Sequence, residues 1–413
     1  LAVISAMLAL RIAVALLALF RTAVAQTMMQ RFGDGGVPAF YQWTGDLPQP
    51  GTLLRNEPLP ENLLLPEASR GERILYSSTN GLNDKDPVSV AGAPLRPKRD
   101  APAGGWPIVA WAHGTVGTAD KCAPSFAGRS DRDIQYLNSW LKAGFAVVAT
   151  DYQGLGTPGG HPYLAVKPEG YSVLDSVRAV RDRNGLGDRV LLVGQSQGAG
   201  AAFATAAVAD SYAPDVNLLG TVATGLPYFS KNTLAALAKG SDPDLVTPTL
   251  VYTLLILQLA EQALPGFDVS EYITERGRQI YDMARSACYR EMANAVTSGQ
   301  ISSRVALAKD PAPVLESLFP ILAYPTVRLP RPIFVGTGEA DRDVPPSMQG
   351  ALVKDACAAG TRVVWRRYPS LDHSATVNAS LADSVPFARS LLAEDPVASN
   401  CDPTSGEAEA SPR

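Results

Sequence analysis

The sequence predicts an α/β fold: a mostly parallel sheet flanked by helices, with a helical segment set into the middle of the chain. Short apolar runs of strand length alternate with helix-period segments from Gly105 onward. Strands apolar on both faces belong to a parallel sheet covered on both sides. The alternation stops over 227–320, where only helical patterns occur, and then resumes. The composition, 46% apolar and 18% charged, supports a large core and excludes a disordered polymer.

The elements follow in order. Residues 26–104 are rich in Pro, Gly and Asn with one weak strand, Arg73–Tyr76, and read as an N-terminal extension packing on the core. The core is expected over 105–226 and 321–393. Its first strand, Ile108–Ala112, ends at His113-Gly114. A polar helix over Asp133–Lys142 precedes the strand Phe145–Thr150. In Pro168–Arg183 the apolar residues Val173, Leu174, Val177 and Val180 recur at helical spacing. Arg189–Val193 reads as a buried strand and Gly198–Ala209 as a helix of small residues. Within 227–320, a cap over the sheet's edge, helices are expected over Asn232–Lys239, Thr249–Ala263, Val269–Val296 and Val314–Phe319. The core then closes with strand Ile333–Gly336, helix Ser347–Ala358, strand Arg362–Arg366 and a helix over Ser374–Leu392. Residues 394–413 are small and acidic, a tail of little order.

At the other end, Arg11, the apolar run Ile12–Phe20 and the small-x-small site Ala23-Val24-Ala25 predict a secretory signal peptide over 1–25. Arg11 and Arg21 leave nine uninterrupted residues between them, short of the roughly 20 that span a bilayer. Four cysteines (Cys122, Cys288, Cys357, Cys401) in an exported chain make disulfides the expectation, with three connectivities open. No two cysteines or histidines stand at zinc-ligand spacing. Lys plus Arg at 36 against Asp plus Glu at 40 gives a net charge of −4, which argues against a nucleic-acid partner.

Gly194-Gln195-Ser196-Gln197-Gly198 matches G-x-S-x-G between an apolar strand and a small-residue helix. That context marks a nucleophile elbow, whose outer glycines let neighbouring backbones approach closely. A serine hydroxyl needs a base, and with this elbow the chain order is serine, acid, histidine. The chain has three histidines, His113, His161 and His373, and only His373 follows Ser196. The acid is expected in the loop after Ile333–Gly336, where Asp341 leads Asp343 and Glu339. Its task is to hold the imidazole tautomer and stabilise the imidazolium. Backbone N–H groups for the oxyanion are expected from Gln197, at the helix start, and from Thr115, with Gly117 as alternative. His113 reads equally as positioning that loop or as a packed strand-end residue, and His161 as structural.

Together these motifs resemble the secretory lipase family, the lipase A-like branch of the α/β-hydrolases. The residues that carry the resemblance are Ala112-His-Gly-Thr115 with Cys122-Ala-Pro-Ser125, Asp151-Tyr-Gln-Gly-Leu-Gly156 with His161-Pro-Tyr163, the elbow, the Asp341 loop and His373. The resemblance spans roughly residues 50–401. It implies an α/β-hydrolase fold, hydrolysis of acylglycerols or simpler carboxylic esters, a small-molecule ester or lipid partner and no cofactor; the extracellular destination is expected from the signal peptide and the cysteines. Carried over by position, it implies the pairs Cys122–Cys288 and Cys357–Cys401. The run Leu250–Ala260 reads either as an acyl-chain tunnel or lipid-facing surface of the cap, or as a helix packed on the sheet. Rival functions are an amidase, peptidase or acyltransferase on the same triad, and a binding protein on a hydrolase scaffold. Acyl-chain preference and oligomeric state leave no mark in the sequence.

Overall fold

The computed structural model describes residues 36–401 apart from 182, 184 and 235–241. The signal-peptide expectation for 1–25, part of the helix expected over 232–239 and the end of the tail lie outside the described residues.

A nine-stranded sheet runs in the order β1-β2-β3-β5-β4-β6-β7-β8-β9. Its strands are β1 (Leu53–Pro58), β2 (Ala68–Thr79), β3 (Pro87–Pro97), β4 (Trp106–Ala112), β5 (Ala146–Thr150), β6 (Leu186–Gln195), β7 (Asn217–Thr224), β8 (Ile333–Gly338) and β9 (Val363–Tyr368). β1, β2 and β3 pair antiparallel, and β3 joins β5 antiparallel through Gly92↔Thr150 to Leu95↔Val147. All pairings from β5 to β9 are parallel.

Alternation along the central strands divides the core. Ile108, Ala110 and Ala112 face one side with Val148, Val190 and Leu192, beneath α2 (Val166–Arg178) and α3 (Gln197–Tyr212). Val109 and Trp111 face the other with Val147, Leu191, Val193 and Phe334, beneath α1 (Asp131–Ala143) and α10 (Leu381–Leu392). α1 starts at the N-cap Ser130, whose hydroxyl accepts from Asp133 N, and ends at left-handed Gly144.

Between β7 and β8 stand α4 (Leu250–Ala263), α5 (Glu275–Met283), α6 (Tyr289–Ser298) and α7 (Ala312–Leu322). The apolar run of α4 is the centre of this segment's own core, with Leu254, Leu255, Leu257 and Leu259 packed among Ile280, Met292, Val296 and Leu318. No described helix is long and apolar enough to cross a membrane. Helix α8 (Pro346–Ala358) lies between β8 and β9, and α9 (Ala375–Ala379) follows β9. Disulfides join Cys122 to Cys288, tying the loop after β4 to the start of α6, and Cys357 to Cys401. These are the pairs the resemblance implied.

The sequence reading differs from the structure in four places. Residues 53–97 supply three strands to the sheet rather than one weak strand. The strand β7 was not expected, since its small residues Gly220, Thr221 and Ala223 mute the apolar signal. The helix expected over Val269–Val296 is broken, because Thr274 caps α5 and the Glu291 carboxylate returns to the Cys288 N–H to start α6 afresh. The helix expected over Ser374–Leu392 divides at Ser380 into α9 and α10.

Candidate active site

Ser196 sits at the sharp turn between β6 and α3 with φ 58° and ψ −124°. For a non-glycine residue such a conformation costs on the order of 1–3 kcal/mol. The turn is held by close backbone approach. A Cβ on Gly194 would lie 1.9 Å from Gly198 O, and one on Gly198 would lie 1.9 Å from Ala112 O. Neither position admits a side chain, which is why the motif's outer residues are glycine.

Asp341 and His373 come from the loops after β8 and β9, at the same C-terminal edge of the parallel strands that carries Ser196. His373 Nδ1 donates to Asp341 Oδ2 at 2.7 Å. Asp341 is otherwise saturated. Its Oδ1 accepts from the N–H groups of Asp343 and Val344, both at 2.9 Å, and its Oδ2 also accepts from Gln349 Nε2 at 3.1 Å. Gln349 is in turn oriented by Thr337 and by Val344 O. With the imidazole proton on Nδ1, Nε2 presents a lone pair. The ring has room because Gly225, just after β7, lacks a side chain: a Cβ there would lie 2.5 Å from His373 Cε1.

All three residues are nearly closed to solvent, Ser196 and His373 9% exposed and Asp341 5%. Nε2 of His373 meets the carboxamide nitrogen of Gln195 at 2.9 Å, and Arg132 donates to the oxygen of that carboxamide at 2.9 Å. Among the described residues, Ser196 Oγ makes no hydrogen bond to His373.

The competing carboxylates have other work. Asp343 Oδ1 accepts from the Tyr252 hydroxyl of α4 at 2.9 Å, Glu339 pairs with Arg367, and Asp372 accepts from the N–H groups of Ser374 and Ala375. One ligand atom each from Asp341, Asp343 and His373 lies within 4.8 Å of the others. Those groups are already engaged with one another, with Gln349 and with Tyr252.

Gln197 is the first residue of α3, so its backbone N–H has no partner within the helix. Among the described residues neither that N–H nor the one of Thr115 donates to a backbone carbonyl. The Thr115 hydroxyl pairs with Tyr163 Oη at 2.8 Å. His113 is buried; its Nδ1 donates to Gly114 O at 2.8 Å, and burial pushes its pKa down to about 4. His161 is likewise buried, its Nδ1 on Gln153 O at 3.0 Å and its pKa pushed by burial to about 3. Both rings are committed to holding loops, through the carbonyls of Gly114 and Gln153.

The arrangement can remove a proton from a hydroxyl at the elbow and present free N–H groups at a helix start to a developing oxyanion. Sequence reasoning missed Gln195, Arg132 and Gln349. Gln195 occupies the open second position of the motif, and the other two carry no pattern of their own.

A model of the secretory lipase family matches residues 129–388. The chain is 24% identical over 348 residues to Lipase A of Moesziomyces aphidis, covering 78% of this chain and 72% of that protein. It is 26% identical over 264 residues to a Mycobacterium tuberculosis protein named a probable inactive lipase, covering 59% of this chain and 55% of that one. In three dimensions it is similar to Candida antarctica lipase A in its closed state, with a TM-score of 0.70 at 22% identity over 87% of each chain. The fold is that of an α/β-hydrolase.

Proposed function

Since the chain belongs to the secretory lipase family, we propose that it is a secreted carboxylester hydrolase working through an acyl-enzyme on Ser196. His373 takes the hydroxyl proton as Ser196 attacks the ester carbonyl, then hands it to the departing alcohol. Asp341 holds the imidazole with its proton on Nδ1 and stabilises the imidazolium. The N–H groups of Gln197 and Thr115 receive the oxyanion, and water activated by His373 releases the acid. Residues 227–320 form a cap over this edge of the core. The two disulfides support an oxidising destination for the chain.

The observation that carries the reading is the bond from His373 Nδ1 to Asp341, which leaves Nε2 unprotonated beside the elbow. One relative bears the name of an inactive lipase, so activity itself is the test. The purified chain should hydrolyse p-nitrophenyl esters and leave aminoacyl anilides intact. A fluorophosphonate probe should label Ser196. Ser196→Ala and His373→Ala should each abolish turnover with the thermal transition retained. Ester turnover that survives Ser196→Ala would overturn the reading.

A further inference from the structure

Resting on that hydrolase reading, we propose that Glu169 is a positioning residue of the oxyanion site, acting with His161 to aim the Gln197 peptide N–H through the Gln197 side chain. Gln197 stands immediately after the strained Ser196, where a small rotation of the peptide would swing its N–H away from the reacting carbonyl. Its side chain is tied down at its far end. The carboxamide nitrogen donates to Glu169 Oε1 at 2.7 Å and meets His161 Nε2 at 2.9 Å, so both of its hydrogens are used.

Each acceptor is itself fixed. His161 Nδ1 donates to Gln153 O, which leaves the lone pair on Nε2 for Gln197. Glu169, in the first turn of α2, also accepts from Leu164 N at 2.9 Å, again through Oε1. Both donors meet the same oxygen, which a carboxyl offers in either protonation state. Burial pushes the Glu169 pKa up to about 8 and the His161 pKa down to about 3, so a neutral acceptor pair is kept through neutral pH.

The same segment reaches the other proposed donor. The Tyr152 ring stacks on His161 with centroids 5.7 Å apart, and its hydroxyl donates to His113 O at 2.9 Å. Tyr163 holds Thr115 by its hydroxyl. Residues 152–169 thus brace both strand ends that would supply N–H groups to the oxyanion. A buried carboxyl that holds the Gln197 side chain has a use here that simple packing does not require.

Losing one oxyanion donor costs about 100- to 1000-fold in kcat, and misaiming one costs part of that. Glu169→Leu should therefore lower kcat on p-nitrophenyl butyrate by about 10- to 100-fold with KM within about twofold. The Ki of n-butylboronic acid, which forms a tetrahedral adduct on the serine, should rise by the same factor. Glu169→Gln, which keeps an oxygen for both donors, should stay within about threefold of the unmutated chain. Should Glu169→Leu not fold, Gln197→Leu retains the peptide N–H, lacks the tether, and should show the same split. Unchanged kcat and boronate affinity in the folded leucine variants would overturn the assignment while leaving the hydrolase intact. Absence of turnover and of fluorophosphonate labelling in the unmutated chain would sink the hydrolase reading, and this assignment with it.

Discussion

The carboxamide nitrogen of Gln195 lies 2.9 Å from Nε2 of His373, on the lone pair that the proposed mechanism reserves for the Ser196 proton. Gln195 is the residue before Ser196 and reaches the imidazole from β6, with Arg132 holding the other end of the amide. The carboxamide and the serine hydroxyl therefore compete for one nitrogen.

A neutral hydrogen bond contributes about 0.5–1.5 kcal/mol net, so removing the competitor should raise reactivity by about 2- to 10-fold. Gln195→Leu is expected to raise kcat/KM on short p-nitrophenyl esters and the rate of fluorophosphonate labelling together. Arg132 keeps its contact with Asp133 in that variant. A matching decrease in both rates would show instead that the amide steadies the imidazole in its working position.

Asp341 and Asp343 are two residues apart, and the structure separates their work. Asp341 meets His373, whereas Asp343 meets Tyr252 on α4. Replacing the acid of a serine triad by asparagine costs about 10,000-fold in kcat, because the imidazole loses its required tautomer. Asp341→Asn should show a loss of that order with the fold retained. Asp343→Asn still offers an oxygen to Tyr252 and should stay within about threefold. Steady-state kinetics on both variants decide the matter, and the reverse ranking would reject Asp341 as the acid.

How much of this was legible beforehand depends on whether the signal was local. The elbow announces itself because strand, Gly-x-Ser-x-Gly and helix are contiguous, and His373 follows by elimination since no other histidine lies downstream of Ser196. The parallel strands β4, β5, β6 and β8 were legible as apolar runs. β2 was legible only at Arg73–Tyr76 and β3 not at all, because antiparallel strands near a sheet edge interleave Ser, Arg, Gly and Pro with apolar residues. Glu169 and Gln349 illustrate the same limit at the site. A glutamate in a helix's first turn reads as a favourable charge near the dipole. Only the packing of α2 against α3 and the elbow makes it a buried partner of Gln197.

That burial has a consequence for stability. Loss of solvent raises the Glu169 carboxyl from 4.5 to about 8, against the smaller opposing effect of the Gln197 and Leu164 hydrogen bonds. Between those two values the folded chain keeps the proton and the unfolded chain has released it. Stability from this group is therefore complete below about 4.5 and is lost as pH rises through about 8. Other buried groups act lower on the scale: Asp151, raised by burial to about 6, slopes the same way, while His113 and His161, lowered to about 4 and 3, slope oppositely below their ordinary 6.5. The nearby tyrosines Tyr152, Tyr163 and Tyr324 are pushed upward, chiefly by burial, and stay neutral across this range. Above pH about 6.5 the comparison with Glu169→Gln isolates the one carboxyl. Scanning calorimetry should find the Tm of the unmutated chain falling from pH about 6.5 to about 8.5, more steeply than that of Glu169→Gln. Parallel curves would mean that Glu169 is ionised in the folded protein, and the neutral acceptor pair would be rejected.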